Sequence, residues 1–325
     1  MFRLFQSIFG STGQGPYPES LVTEAIERAV DGTDPWLRAV SGYKRKLKPA
    51  VIRAIDHVVA LVDGLSPPID ASVGSFGTDP LLKAFFISSA DMRKVFGGER
   101  NLADFLRGEG GALPRVTALL MVKKVEKVIL GVELSGDIIM RDVPQRTVSF
   151  EAHQLLDPTG DESETRRLLK RRAFDHLLSI ALRRISLMKM EREDLERRRS
   201  LLEAKLNLLQ NGNWGFDAAG PAERPDLPVL EEKLGQIESQ LLELGGDSGM
   251  LKVYLDRVVE VLGRPEEILW ARKESLIVDK MGITRTKASS DVPELMLDEL
   301  CNAAGERRIV SLVSLPGDEL RTAVS

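Results

Sequence analysis

At 325 residues the chain is long enough for about two domains of ordinary size, and 43% hydrophobic with 29% charged residues is the balance of a folded soluble protein. Three Trp and three Tyr are too few for a site built on stacking against bases or sugars, and one cysteine with three histidines leaves little for a disulfide framework or a soft-metal centre, which fits a reducing, cytoplasmic setting. The net charge of −4 conceals a segregation: residues 166–199 carry twelve Lys or Arg against five Asp or Glu, while the remainder carries 33 basic against 44 acidic residues.

Residues 1–16 read as a flexible segment whose first nine residues put Phe2, Phe5 and Phe9 on one face of a helix. That face suits docking into a protein groove better than peripheral membrane contact, because Arg3 and the terminal amine offer anionic lipid little attraction. Residues 17–112 read as short helices. Leu21, Val22, Ala25, Ile26, Ala29 and Val30 form an apolar stripe ending near Gly32, and Asp34-Pro35 and Asp79-Pro80 each pair an N-cap with proline at the first helical position. Lys48-Pro49 is expected to open a helix that ends at Gly64, and residues 70–78, rich in Gly and Ser, read as loop. Residues 51–62 are interrupted by Arg53, Asp56 and His57, and no stretch reaches the roughly 20 apolar residues of a membrane span, so integral membrane insertion is not expected.

From about Thr117 the period changes from helical to alternating. Val128, Leu130, Val132 and Leu134 share a face, Ser135-Gly136-Asp137 supplies a turn, and Pro144-Gln145 breaks the next run, so residues 113–160 predict an antiparallel meander. Residues 269–278 and 308–315 are expected to extend the same sheet, with a helix over residues 292–302 between them.

Residues 161–246 predict a helical hairpin. Phe174, Leu178, Ala181, Ile185, Met188, Arg192, Leu195, Arg199, Leu202, Leu206 and Leu209 alternate at spacings of four and three, and Leu230, Leu234, Ile237, Leu241 and Leu244 repeat the pattern. The return helix is too short to cover the whole first run, so residues 174–188 must bury their seam on the sheet, on the N-terminal helices or on a second chain. Arg192 and Arg199 interrupt the seam, either paired with acids of the return helix or a second subunit, or snorkelling to solvent. Trp214 and Phe216 lie in the Gly/Pro-rich break, as a partner anchor or as a cap on the coiled-coil end. Residues 247–325 complete the body.

Chemical signatures are sparse. Gly10 to Gly15 is glycine-rich without the Lys-Ser/Thr pair of a phosphate loop, and Glu151 and His153 share a strand face without a third ligand. Cys301 has nothing nearby to lower its pKa. No catalytic, cofactor-binding or metal residue is assigned.

These elements add up to an α+β protein with a helical N-terminal region, an antiparallel sheet, a projecting antiparallel coiled-coil helical hairpin and C-terminal strands returning to the sheet. The function expected is that of a noncatalytic cytoplasmic interaction or scaffold protein, meeting a protein partner or a second copy through Phe174, Leu178, Ile185, Met188, Arg192, Arg199, Trp214 and Phe216. One alternative is a nucleic-acid binder using Arg171, Arg172, Arg183 and Arg184. The other is an enzyme with a pocket between sheet and N-terminal helices, near Asp56, His57, Glu151 and His153.

Overall fold

The computed structural model describes residues 17–135, 138–211, 227–245, 249–289 and 292–324. Phe2, Phe5, Phe9, Trp214 and Phe216 lie outside the described residues. Among the described residues the chain forms ten helices and a six-stranded sheet, the α+β class that the sequence predicts. In chain order these are α1 (Glu19–Asp31), a 3-10 turn (Pro35–Ala39), α2 (Tyr43–Asp63), β1 (Ile69–Asp70), α3 (Val73–Phe76), α4 (Pro80–Phe85), α5 (Ser89–Gly98) and α6 (Arg100–Arg107). There follow β2 (Arg115–Ser135), β3 (Ile138–Thr159), α7 (Glu162–Asn211), α8 (Leu227–Glu243), α9 (Met250–Gly263), β4 (Leu269–Ile277), β5 (Glu294–Asn302), β6 (Arg307–Pro316) and α10 (Gly317–Val324). The chain divides into two compact units, one holding Ile55–Phe174 and Pro265–Ser325, the other Tyr17–Ala54 and Asp175–Arg264.

The first unit contains the sheet, in the order β3-β2-β6-β5-β4 with antiparallel neighbours; the two-residue β1 pairs in parallel with β6 at Val313 and Ser314. Both faces of its centre are covered, which is why residues 309–315 read as a near-continuous apolar run. On one face Val116, Ala118, Leu120 and Val122 of β2 pack with Leu82, Phe85, Met92, Phe96 and Leu102 from α4, α5 and α6. On the other, Leu119, Val310 and Leu312 pack with Val62 and Leu169. The last turn of α2 leaves orphan carbonyls, and Arg166 donates to that of Val62 at 2.7 Å, while the buried Lys170 ammonium pairs with Asp63 at 2.8 Å.

Four local expectations need correction. Where a helix is expected over residues 292–302, residues 294–302 form strand β5. Their Leu, Met and Glu content favours helix, but Leu295, Leu297 and Cys301 are buried at alternate positions, and pairing with β4 and β6 decides the outcome. The register sets Arg272 opposite Glu299 and Lys273 opposite Asp298, and both pairs form salt bridges. The predicted meander is one long hairpin, since β3 runs through Pro144. An edge strand tolerates proline, and the extra residues are absorbed in bulges where Asp142, Ala152 and Asp157 take positive φ. Pro49 lies inside α2, which already begins at Tyr43. Residues 70–78 hold the end of β1 and the short helix α3, capped by Ser72.

The edge of β3 is partly covered. Val148 donates its backbone N–H to the Gly282 carbonyl and Thr284 donates to that of Arg146, both at 2.8 Å. Gly282 has φ +76°, and a Cβ there would stand 2.7 Å from the Val148 carbonyl oxygen, so this turn requires glycine.

The second unit is helical. The face of α1 formed by Leu21, Val22, Ala25, Ile26, Ala29 and Val30 is buried as its periodicity predicts, and α9 buries Tyr254, Leu255, Val258, Val261 and Leu262.

Candidate protein-contact face of the long helix

Helix α7 forms because fifty residues contain neither Gly nor Pro and carry repeated ion pairs one turn apart, among them Arg192–Glu196 and Arg198–Asp194. Asp161 precedes its first turn; a hydrogen bond from Ser163 holds its carboxyl below the usual range, with further help from the backbone N–H of Glu164.

Within the helical unit, one side of α7 is turned inward. Leu178 is 3% exposed and Ile185 1%, and both are covered by the chain's own residues; Ala181, Leu195 and Leu206 are buried as well. The approach of α1 is close: a Cβ on Gly32 would stand 3.0 Å from Leu178 Cδ1. Polar clamps fix the same side. Arg28 forks onto Asp175, its Nε at 2.6 Å from Oδ1. Lys189 donates to Asp34 at 2.7 Å and lies 5.3 Å from the centre of the Tyr254 ring, and the same Asp34 carboxylate caps the 3-10 turn at Trp36. Burial pushes the Tyr254 phenol up. Glu260 accepts from both Arg184 and Arg257, and Arg257 above all holds its carboxyl low.

The two seam arginines differ. Arg192 Nε donates to Glu196 at 2.7 Å and its Nη1 to the Gly245 carbonyl, also at 2.7 Å, just beyond α8. Arg199 Nε is buried without a hydrogen-bond partner among the described residues and faces Glu203 at 3.5 Å as an ion pair only. Met188 is half-buried, and Leu230, Leu234, Ile237, Leu241 and Leu244 are the more covered positions of α8 and the residues after it. Phe174, which falls in the sheet unit, is 1% exposed. The seam residues Phe174, Leu178 and Ile185 therefore have no surface to offer a partner.

A second stripe on α7 has the opposite fate. Leu187, Met190, Leu201 and Leu208 are 57%, 65%, 57% and 72% exposed. Positions 187, 194, 201 and 208 are successive heptad equivalents, and the helical period sets them on the side away from the seam. Sequence reasoning misses this stripe because Asp194 and Arg197 dilute it; the seven-residue spacing of Leu201 and Leu208, with Leu187 two repeats earlier, is the signal that was available.

The remaining candidates scatter. Arg172 forks onto Asp157 with both nitrogens at 2.7 Å, and Arg184 is engaged by Glu260. Arg171 also has an engaged side chain, and Arg183 is exposed. His57 Nε2 lies 2.7 Å from the Leu269 carbonyl; His153 Nε2 lies 2.7 Å from that of Phe85 while its ring stacks on Phe86. Glu151 contacts Ser149, and Asp56 is also engaged. Among the described residues no group of three His, Cys, Asp or Glu could hold a metal ion, and no helix is long and apolar enough to cross a membrane. Burial raises the Cys301 thiol, and the neighbouring Glu299 carboxylate raises it further. Comparison with protein-family models, with curated proteins and with solved structures finds no match to this chain.

Proposed function

We propose that this chain is a noncatalytic interaction or scaffold protein of the cytoplasm, in which α7 and α8 pair as a coiled-coil hairpin and the outward stripe of α7 is the contact surface for a protein partner. The observation that carries the reading is the division of labour on one helix: its inner seam is consumed by the chain's own packing, while four large apolar side chains on the other side stay in water. Single exposed leucines are ordinary, but Leu187, Leu201 and Leu208 at multiples of seven residues, with Met190 one turn from Leu187, on one side of a rigid helix have the form of a helix-docking surface. The clamps at Asp175, Arg184 and Lys189 support it by fixing the orientation of α7, so that the stripe is presented without an ordering cost on binding.

The test is co-purification with the intact chain against a Leu187→Asp/Leu201→Asp variant, with Asn207→Asp as a control on another face. Loss of the same partner bands only in the double variant is the expected result. Partner bands unchanged by that variant would remove the stripe from the account.

A further inference from the structure

We propose that the outward stripe of α7 receives an acidic amphipathic helix of a partner protein. The inference rests on the reading of that stripe as a contact face and adds the chemistry of what binds there.

At 100° per residue, Leu187, Met190, Leu201 and Leu208 fall within about 50° of a common direction. The same sector holds four cations, Arg183, Arg197, Arg198 and Lys205, and one acid, Asp194. Asp194 is occupied by Arg198 at 2.7 Å. Arg183, Arg197 and Lys205 are exposed and make no ion pair among the described residues. The stripe thus interleaves four apolar side chains with a net positive charge along its length.

Charge then separates the occupants. A second copy laid on the same stripe would set Arg183, Arg197 and Lys205 against their own counterparts, a like-charge contact that opposes association. Residues 1–15 of this chain are apolar enough to lie there, but they contain Arg3 and neither Asp nor Glu. A nucleic-acid backbone would satisfy the cations and leave the four apolar side chains uncovered. A helix with leucine-like anchors at heptad spacing and glutamates beside them covers the apolar row and pairs the cations together.

The experiment uses the full chain and two labelled three-heptad peptides with leucine at a and d, one carrying glutamate and the other lysine at e and g, followed by fluorescence anisotropy. The glutamate peptide is expected to bind at least about tenfold more tightly than the lysine peptide, and to weaken by about tenfold when salt is raised until the Debye length falls from about 10 Å to about 3 Å. Arg183→Glu/Arg197→Glu/Lys205→Glu, with helix content unchanged by circular dichroism, is expected to invert the preference. Absence of glutamate-peptide binding, equal binding of both peptides, or a preference that survives the charge reversal would overturn the inference. So would a dimer of the intact chain that Leu201→Asp abolishes, because the occupant would then be a second copy. If the Leu187→Asp/Leu201→Asp variant loses its co-purified partner while the glutamate peptide fails to bind, the contact face stands and only its acidic partner falls.

Discussion

At the scale of single residues, the two sides of α7 make opposite forecasts for the same kind of substitution. Ile185 is 1% exposed, so Ile185→Ala removes packed methylenes and is expected to cost about 2–4 kcal/mol in denaturant unfolding. Leu201→Ala, on the water side, should fall within about 0.5 kcal/mol of the parent. Equal losses at both positions would mean that the outer stripe is structural. Glu27 supplies a pH test in the same unit. Burial alone would raise its pKa, but hydrogen bonds from Lys44, Tyr43 and Arg38 bring it to about 2, from an ordinary value of 4.5. Folding lowers this pKa, so the cluster contributes fully above about pH 4.5 and loses its contribution as pH falls toward 2. Solvent screening limits it to about 1 kcal/mol, and Glu27→Gln should show that loss at pH 7 and almost none near pH 2.

At the scale of elements, the legible features were those written in local periodicity and caps. The buried face of α1, the capping Asp34 and Asp79, and the seam of α7 can all be read directly from residue spacing. Strand β5 could not be read that way, because its Leu, Met and Glu residues favour a helix until β4 and β6 bracket it. The length of β3 was hidden for a related reason: Pro144 and three bulges look like turns in a sequence and are absorbed at a sheet edge. The β4–β5 pairing makes its own forecast. Lys273→Met leaves the Asp298 carboxylate, in a buried position, with only the Ser66 N–H as partner among the described residues, and should cost about 2–3 kcal/mol. A neutral result in thermal or denaturant unfolding would show that water reaches Asp298 freely.

At the scale of the whole molecule, the charge segregation seen in composition takes on a definite meaning. Part of the basic excess of residues 166–199 is spent within the fold, on Asp63, Asp157, Asp34 and Glu260, and what remains facing solvent includes Arg183 and Arg197 beside the apolar stripe. A long seam with a short return helix calls for a further covering surface, and the burial of Leu178 and Ile185 shows that this chain supplies it; the contact face we propose lies on the other side of the helix. The intact chain is therefore expected to sediment as a monomer at micromolar concentration. The most direct test of the contact face is site-specific photo-crosslinking in cells, with a photoreactive residue placed at Leu201 or Leu208 and, for comparison, at Asn207. A discrete, heavier adduct is expected from positions 201 and 208 and none from 207; no adduct from 201 and 208, or equal adducts from all three, would rule the contact face out.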